Sequence, residues 1–252
     1  MNNYQKLYHS SNQHFTAYHK TSTSKNNKQG IIFLGGFKSD MNGTKAQAIS
    51  AYAEKNDLDF IKFDYSGHGS SSGEFIEGSI DSWLKETLDV IDQLTDKPQI
   101  LIGSSMGGWI MLLAAIARPA RIAALIGLAA APDFTEELIW NCLSNQQKEQ
   151  LLAKQPLLYR NEFCQDAYLI SSNLVFDSRQ HLLLDKKILI DAPIHLIHGM
   201  EDKDVPFSTT IRIAQQVTSK NVRITLLKNS GHNLSQPQDL EFIYKAIEEA
   251  LL

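Results

Sequence analysis

Apolar positions along this chain gather into short runs that alternate with longer, periodic stretches. The short runs are bounded by glycine, asparagine and aspartate and read as strands. The longer stretches repeat their apolar positions at helical spacing. This pattern predicts strands over residues 30–35, 59–64, 99–103, 121–129, 193–198 and 222–227. It predicts helices from about Thr44 and over residues 80–94, 106–117, 207–217 and 237–251. Strands that alternate with helices imply a mostly parallel sheet covered on both faces. Two N-terminal strands, at about 5–9 and 13–19, are expected to form an antiparallel edge and complete an eight-stranded sheet. Thr44 with Gln47 and Ser235 with Gln238 have the spacing of capping boxes, and Pro237 suits a first helical turn. The polar stretch Thr21–Gln29 reads as an ordinary turn.

After the sixth strand the alternation breaks. Residues 133 to about 190 are rich in Leu and Gln, contain Pro156, and read as helices around a short hairpin. The chain therefore divides into a core of residues 1–132 and 191–252 and a lid-like insertion of residues 133–190. Phe134, Leu138 and Cys142 recur at helical spacing, with Ile139 and Trp140 beside them. Such a stripe packs the insertion onto the body or walls an apolar slot.

Gly103-Ser-Ser-Met-Gly107 stands between the strand Gln99–Ile102 and the apolar helix beginning near Trp109. This is the G-x-S-x-G pattern of a sharp strand-to-helix turn that lifts a serine hydroxyl clear of the sheet. Strand and helix approach so closely there that positions two before and two after the serine must nearly lack side chains. Gly103 and Gly107 meet that need, and Gly108 adds room. Ser105 is thus a candidate nucleophile.

A serine nucleophile needs a base, and the base needs an acid to hold its tautomer. After Ser105, His198-Gly-Met-Glu-Asp-Lys-Asp-Val-Pro206 ends a strand in an acidic loop. Asp202 stands three residues before Val205-Pro206 and is the expected acid; Glu201 and Asp204 share its loop. Asp133, after the preceding strand, is the other position where an acid of this kind can stand. His232 follows Gly231 in the loop after strand 222–227, where the base should be. The order nucleophile, acid, histidine is that of the α/β-hydrolases.

Of the eight histidines, the others have quieter readings. His9, His14 and His19 are expected to face solvent from the N-terminal strands. His181 falls in a helical part of the insertion, and His195 inside a strand. His198 is expected to fix the turn beside the acid, and His68 to sit in a glycine-rich loop lining the pocket. Two backbone amides should receive a developing oxyanion, those of Met106 and of Phe37 in the loop after the third strand. The Phe37 side chain either lines the acyl pocket or simply packs.

A chain of 252 residues can form this fold as one unit. A net charge of −4 gives no electrostatic reason to expect nucleic acid. The apolar stretches at 109–117 and 122–131 are broken by Arg118-Pro119 and fall short of the ~20 residues of a membrane span. The start, Met1-Asn-Asn-Tyr-Gln-Lys6, lacks an apolar secretory core, and Cys142 and Cys164 lie in no metal or redox spacing. A cytoplasmic enzyme with reduced thiols and no metal or cofactor is expected. Gly67-His-Gly69 is too short for a dinucleotide fingerprint.

The residues Phe33-Leu-Gly-Gly-Phe-Lys-Ser-Asp-Met-Asn-Gly-Thr-Lys-Ala46, Phe63-Asp-Tyr-Ser-Gly-His-Gly-Ser-Ser-Ser-Gly73 and Gly103-Ser-Ser-Met-Gly-Gly-Trp109 carry a family resemblance. Ala115-Ile-Ala-Arg-Pro119 and Leu196-Ile-His-Gly-Met200 extend it. In these runs the chain resembles α/β-hydrolases of the mitochondrial depalmitoylase and acyl-glucuronide esterase type and their bacterial relatives. The resemblance implies hydrolysis of acyl thioesters or esters, with Ser105, Asp202 and His232 in the triad positions. Gly35 stands where that group carries proline. The same triad would also serve a carbon–carbon bond hydrolase, and a binding module of this fold could retain it without turnover.

Overall fold

Strands that alternate their apolar side chains between two buried layers define the frame of this molecule. A computed structural model describes residues 4–9, 14–23, 28–160 and 167–252. In β3 (Gly30–Leu34), Ile31 and Phe33 enter one core layer while Ile32 and Leu34 enter the other. In β5 (Gln99–Ser104), Ile100 and Ile102 face the first layer and Leu101 the second. Strands of this kind, apolar on both faces, belong in the middle of a helix-covered parallel sheet.

The sheet has eight strands. From one edge they run β1 (Gln5–Tyr8), β2 (Phe15–Thr21), β4 (Phe60–Phe63), β3, β5, β6 (Ile122–Leu128), β9 (Ile194–Gly199) and β10 (Val222–Leu227). β2 pairs antiparallel with both β1 and β4, and every other pairing is parallel. Helices α1 (Thr44–Lys55) and α7 (Pro237–Ala250) cover one face through Ile49, Ala53, Ile243 and Ile247. Helices α2 (Ile80–Leu94), α3 (Met106–Ala117) and α6 (Ser208–Gln216) cover the other through Trp83, Ile91, Trp109, Ile110 and Ile213. The chain has the α/β-hydrolase fold.

Two expected caps are replaced. Gly43, not Thr44, is the N-cap of α1 and makes no side-chain cap bond. Gln47 is engaged elsewhere, because its Oε1 accepts from the buried Lys62 ammonium at 2.8 Å. At α7 the box belongs to Gln236 and Asp239, while the Ser235 hydroxyl turns back to the Asn233 carbonyl.

Between β6 and β9 the chain forms a helical turn at Thr135–Ile139, α4 (Asn145–Leu152), an antiparallel hairpin of β7 (Leu157–Tyr159) and β8 (Tyr168–Ile170), and α5 (Ser172–Asp177). Leu151, Ile170, Leu174 and Leu184 join the core beside α3. The expected stripe is only partly realised. Phe134 and Ile139 turn inward, but Cys142 is exposed. The wide π winding of residues 135–139, followed by a tight 3₁₀ turn at 140–142, shifts the register that regular helical spacing assumes. Cys164 and the middle of the Thr21–Gln29 turn lie outside the described residues.

The N-terminal histidines divide. His14 is exposed, but His9 is drawn inward, with Nδ1 2.6 Å from Asp89 and Nε2 2.8 Å from the Thr16 hydroxyl. His19 is half-buried. His195 is half-buried too and meets the Thr225 hydroxyl at 2.8 Å.

Candidate active site

Ser105 stands at the junction of β5 and α3 with φ 54° and ψ −118°, a conformation that side chains other than glycine rarely adopt. Three backbone hydrogen bonds hold it there. Its N–H donates to the Leu128 carbonyl (2.9 Å), and its carbonyl accepts from Gly108 (2.9 Å) and Ala131 (3.0 Å). Strain of this kind persists only where the surroundings over-determine it. The flanking glycines show why no side chain fits. A Cβ on Gly103 would lie 2.4 Å from the Gly107 carbonyl oxygen. One on Gly107 would lie 2.2 Å from the Leu34 oxygen and 2.5 Å from that of Gly35. The loop after β3 therefore rests directly on the start of α3.

His232 follows β10, in a turn pressed against the end of β9. A Cβ on Gly199 would lie 2.1 Å from the Ser230 oxygen. The ammonium of Lys45, near the start of α1, donates to the carbonyl of Asn233 next to the histidine. These constraints leave His232 Nε2 3.0 Å from Ser105 Oγ and His232 Nδ1 2.7 Å from Asp202 Oδ2. A carboxylate only accepts, so Nδ1 carries the proton and Nε2 is free to accept from the serine hydroxyl.

The Asp202 side chain is fully buried. Oδ2 also accepts from His198 Nε2 (3.0 Å), and Oδ1 accepts from the amides of Asp204 (2.9 Å) and Val205 (2.8 Å). Burial alone would raise the Asp202 carboxyl. The hydrogen bonds from His198 and His232 outweigh it and hold the group well below the usual carboxylate range. His198 is itself buried and braces the turn through Val205 and Thr210.

Asp133 is not part of this cluster. Its buried carboxylate accepts from the amides of Leu183 and Leu184, at 2.8 Å each, and ties together the two ends of the stretch between β6 and β9. His68 is buried beneath the loop after β3, and it is not among the residues that line the cavity at Ser105. Among the described residues, the amides of Phe37 and Met106 have no hydrogen-bond partner. Both lie beside the serine, since a Cβ on Gly36 would stand 3.4 Å from Ser105 Cβ.

A cavity of about 330 Å³ opens over Ser105 and His232. Its walls are largely apolar, with Phe37, Phe134, Leu138 and Ile139 joined by Tyr159 and Tyr168 of the hairpin. The two tyrosines carried no recognisable signal in the sequence, because only the hairpin's fold directs them inward. Lys38 and Asp204 also line this cavity. A larger hollow of about 630 Å³ sits at the opposite ends of β3, β4 and β5 and is lined by Lys20, Asp59 and Lys97, far from these groups. The described residues contain one trio spaced to hold a metal ion, Asp202, Asp204 and His232, and two of its members are already hydrogen-bonded to each other. No helix among the described residues is long and apolar enough to cross a membrane.

The fold and the serine at its strand–helix turn define an α/β-hydrolase. The model of the hydrolase family described as serine aminopeptidase, S33, matches residues 25–239, and the chain belongs to this family and is a hydrolase. It is 39% identical over 228 residues to the human mitochondrial palmitoyl-protein thioesterase ABHD10, covering 90% of this chain and 74% of that one. The mouse α/β hydrolase domain-containing protein 10 superposes with a TM-score of 0.89 at 32% identity, covering 98% of this chain and 97% of the other. A crystal structure of a protein from Agrobacterium vitis S4 gives a TM-score of 0.92 at 31% identity, covering 99% of this chain and 98% of the other.

Proposed function

We propose that this chain hydrolyses carboxylic esters and thioesters through an acyl-enzyme on Ser105, with His232 as general base and Asp202 as its acid partner. The observation that carries this reading is the relay in which Ser105 Oγ lies 3.0 Å from His232 Nε2 and His232 Nδ1 lies 2.7 Å from Asp202. Ser105 Oγ attacks the acyl carbon while its proton passes to Nε2. The imidazolium so formed is stabilised by the buried carboxylate. The amides of Phe37 and Met106 receive the negative charge on the carbonyl oxygen. Collapse expels the alkoxide or thiolate, which takes the proton from Nε2. Water, deprotonated by the same nitrogen, then releases the acid and restores Ser105. Nucleophile, base and oxyanion donors all come from the chain, so the scheme calls for no cofactor.

Residues 133–190 act as a lid in this reading, and the apolar walls they contribute suit an acyl chain. The thioesterase relatives favour acyl thioesters, including S-acylated proteins, among the substrates. A cytoplasmic location belongs to the same proposal and is checked by fractionation, since curated relatives are named as mitochondrial. A peptidase reading draws on the family description and on Asp204, whose carboxylate on the cavity wall suits a substrate ammonium.

A fluorophosphonate probe should label the wild-type protein at Ser105 and leave Ser105→Ala unlabelled. A panel of p-nitrophenyl esters, acyl-CoA thioesters of graded length and aminoacyl p-nitroanilides assigns the substrate class. Folded protein that stays unlabelled and turns over no ester or thioester would sink the proposal.

A further inference from the structure

The turn beside the nucleophile is held in place by a histidine that the relay does not use. Gly36 to Ser39 close a β-turn, with Ser39 N–H donating to the Gly36 carbonyl at 3.1 Å. Its third residue, Lys38, has φ 59°, whereas Phe37 before it is not in the positive-φ region. In this geometry the central Phe37–Lys38 peptide is flipped relative to the commoner turn, and glycine is the usual third residue. A lysine remains there only if its neighbours hold the peptide.

His68 is placed to do so. It is 4% exposed, and its Nε2 accepts from the Lys38 amide at 3.1 Å while Nδ1 lies 3.1 Å from the Ser66 carbonyl. An amide N–H only donates and a carbonyl only accepts, so the ring is neutral with its proton on Nδ1. Burial favours that form and lowers the His68 imidazolium below its ordinary value. The ring packs edge-on against Phe75 (5.1 Å) and Trp83 (5.2 Å), which also contact the Phe37 ring. Asp64 adds a second tie between the two loops by accepting from the amides of Met41 (2.6 Å) and Ser70 (2.8 Å).

We propose that His68 is a positioning residue for hydrolysis, its Nε2 lone pair fixing the flipped Phe37–Lys38 peptide and so aiming the Phe37 amide at the developing oxyanion. This rests on the reading of Phe37 as an oxyanion donor. His68 touches neither substrate nor Ser105; it acts through the turn. The same bond explains how a non-glycine residue stands at Lys38.

The test compares three variants with wild type. His68→Phe keeps a ring of similar size but has no acceptor. Gln places an amide oxygen near the Nε2 position, and the shorter Asn does not reach it. For His68→Phe and His68→Asn, kcat on a p-nitrophenyl ester should fall roughly 10- to 100-fold, with KM within about threefold. Affinity for a trifluoromethyl ketone, which forms a tetrahedral oxyanion on Ser105, should fall in parallel, while inhibition by the product carboxylate stays near wild type. His68→Gln should recover most of both losses. If His68→Phe does not fold, the Gln and Asn pair carries the comparison. A folded Phe or Asn variant with wild-type kcat and ketone affinity overturns the inference, as does a Gln variant no better than Asn. Wild-type turnover and Ser105 labelling are measured first, so that their absence counts against the hydrolase reading and not against the role of His68.

Discussion

His198 donates to Asp202 Oδ2 across 3.0 Å, on the same oxygen that receives Nδ1–H of His232. One buried carboxylate thus serves two imidazoles, one structural and one facing Ser105. Replacing His198 by Leu removes a donor from a buried charge and leaves the Val205 carbonyl and the Thr210 hydroxyl unpaired. The expected cost is about 2 kcal/mol or more, read as a lower urea midpoint, together with a smaller loss in kcat than any change at His232.

Asp202→Asn should leave the protein folded and lower kcat by about ten-thousand-fold, because an amide no longer fixes the Nδ1–H tautomer. Stability carries a separate signature. The folded protein holds the Asp202 carboxyl below its unfolded value, so its contribution is fully present above the ordinary carboxylate pKa. It is lost as the pH falls through the folded value. The gap in urea midpoint between wild type and variant should stay constant from about pH 5 to 8 and narrow below about pH 4.

Lys45 predicts a change at the other end of the scale. Burial lowers its ammonium to about 8, against the partial opposition of Asp239 and Asp202. Between about 8 and the ordinary lysine value the unfolded chain binds more protons than the folded one. This group therefore makes stability rise with pH in that window. Chemical denaturation from pH 7.5 to 10 should show the rise in wild type and its absence in Lys45→Met.

Gly107→Ala would place a methyl 2.2 Å from one backbone oxygen and 2.5 Å from another. Neither atom belongs to a flexible side chain that could swing aside. A loss of about 3 kcal/mol is expected in thermal or urea unfolding, with the loop after β3 displaced and turnover reduced even where the protein remains folded.

Leu138 lines the cavity over Ser105, and its carbonyl accepts from the Tyr159 hydroxyl at 3.0 Å. Leu138→Trp should narrow the slot without touching the relay. On the ester panel, KM for long acyl chains should rise roughly tenfold while acetyl ester turnover stays within about twofold. Equal effects on both would place the acyl chain elsewhere.

The parts of the site legible in sequence are those whose physics is local. Gly103 and Gly107 announce a close strand–helix approach wherever they flank a serine, and the structure places backbone within 2.4 Å of both missing Cβ atoms. The eight-stranded sheet was legible for the same reason, since each apolar run states its own burial. What failed depended on partners remote in the chain. Gln47 has the spacing of a cap but belongs to Lys62, and His9 looks like a surface residue but meets Asp89, 80 positions away. Asp133 sits where an acid can stand, yet the amides of Leu183 and Leu184 claim it. Tyr159 and Tyr168 reach the cavity because a hairpin turns them there, and no periodicity of three-residue strands reports that.

Ser105 and His232 are separated by 127 positions and share one hydrogen bond. Between them the chain completes β6, the whole stretch up to β9, and β10. Under the proposed mechanism, a nascent or truncated chain that ends before residue 232 carries the serine without its base. On that reading, a pulse of phosphonate probe during refolding should date the moment when the loop after β10 brings His232 against Ser105.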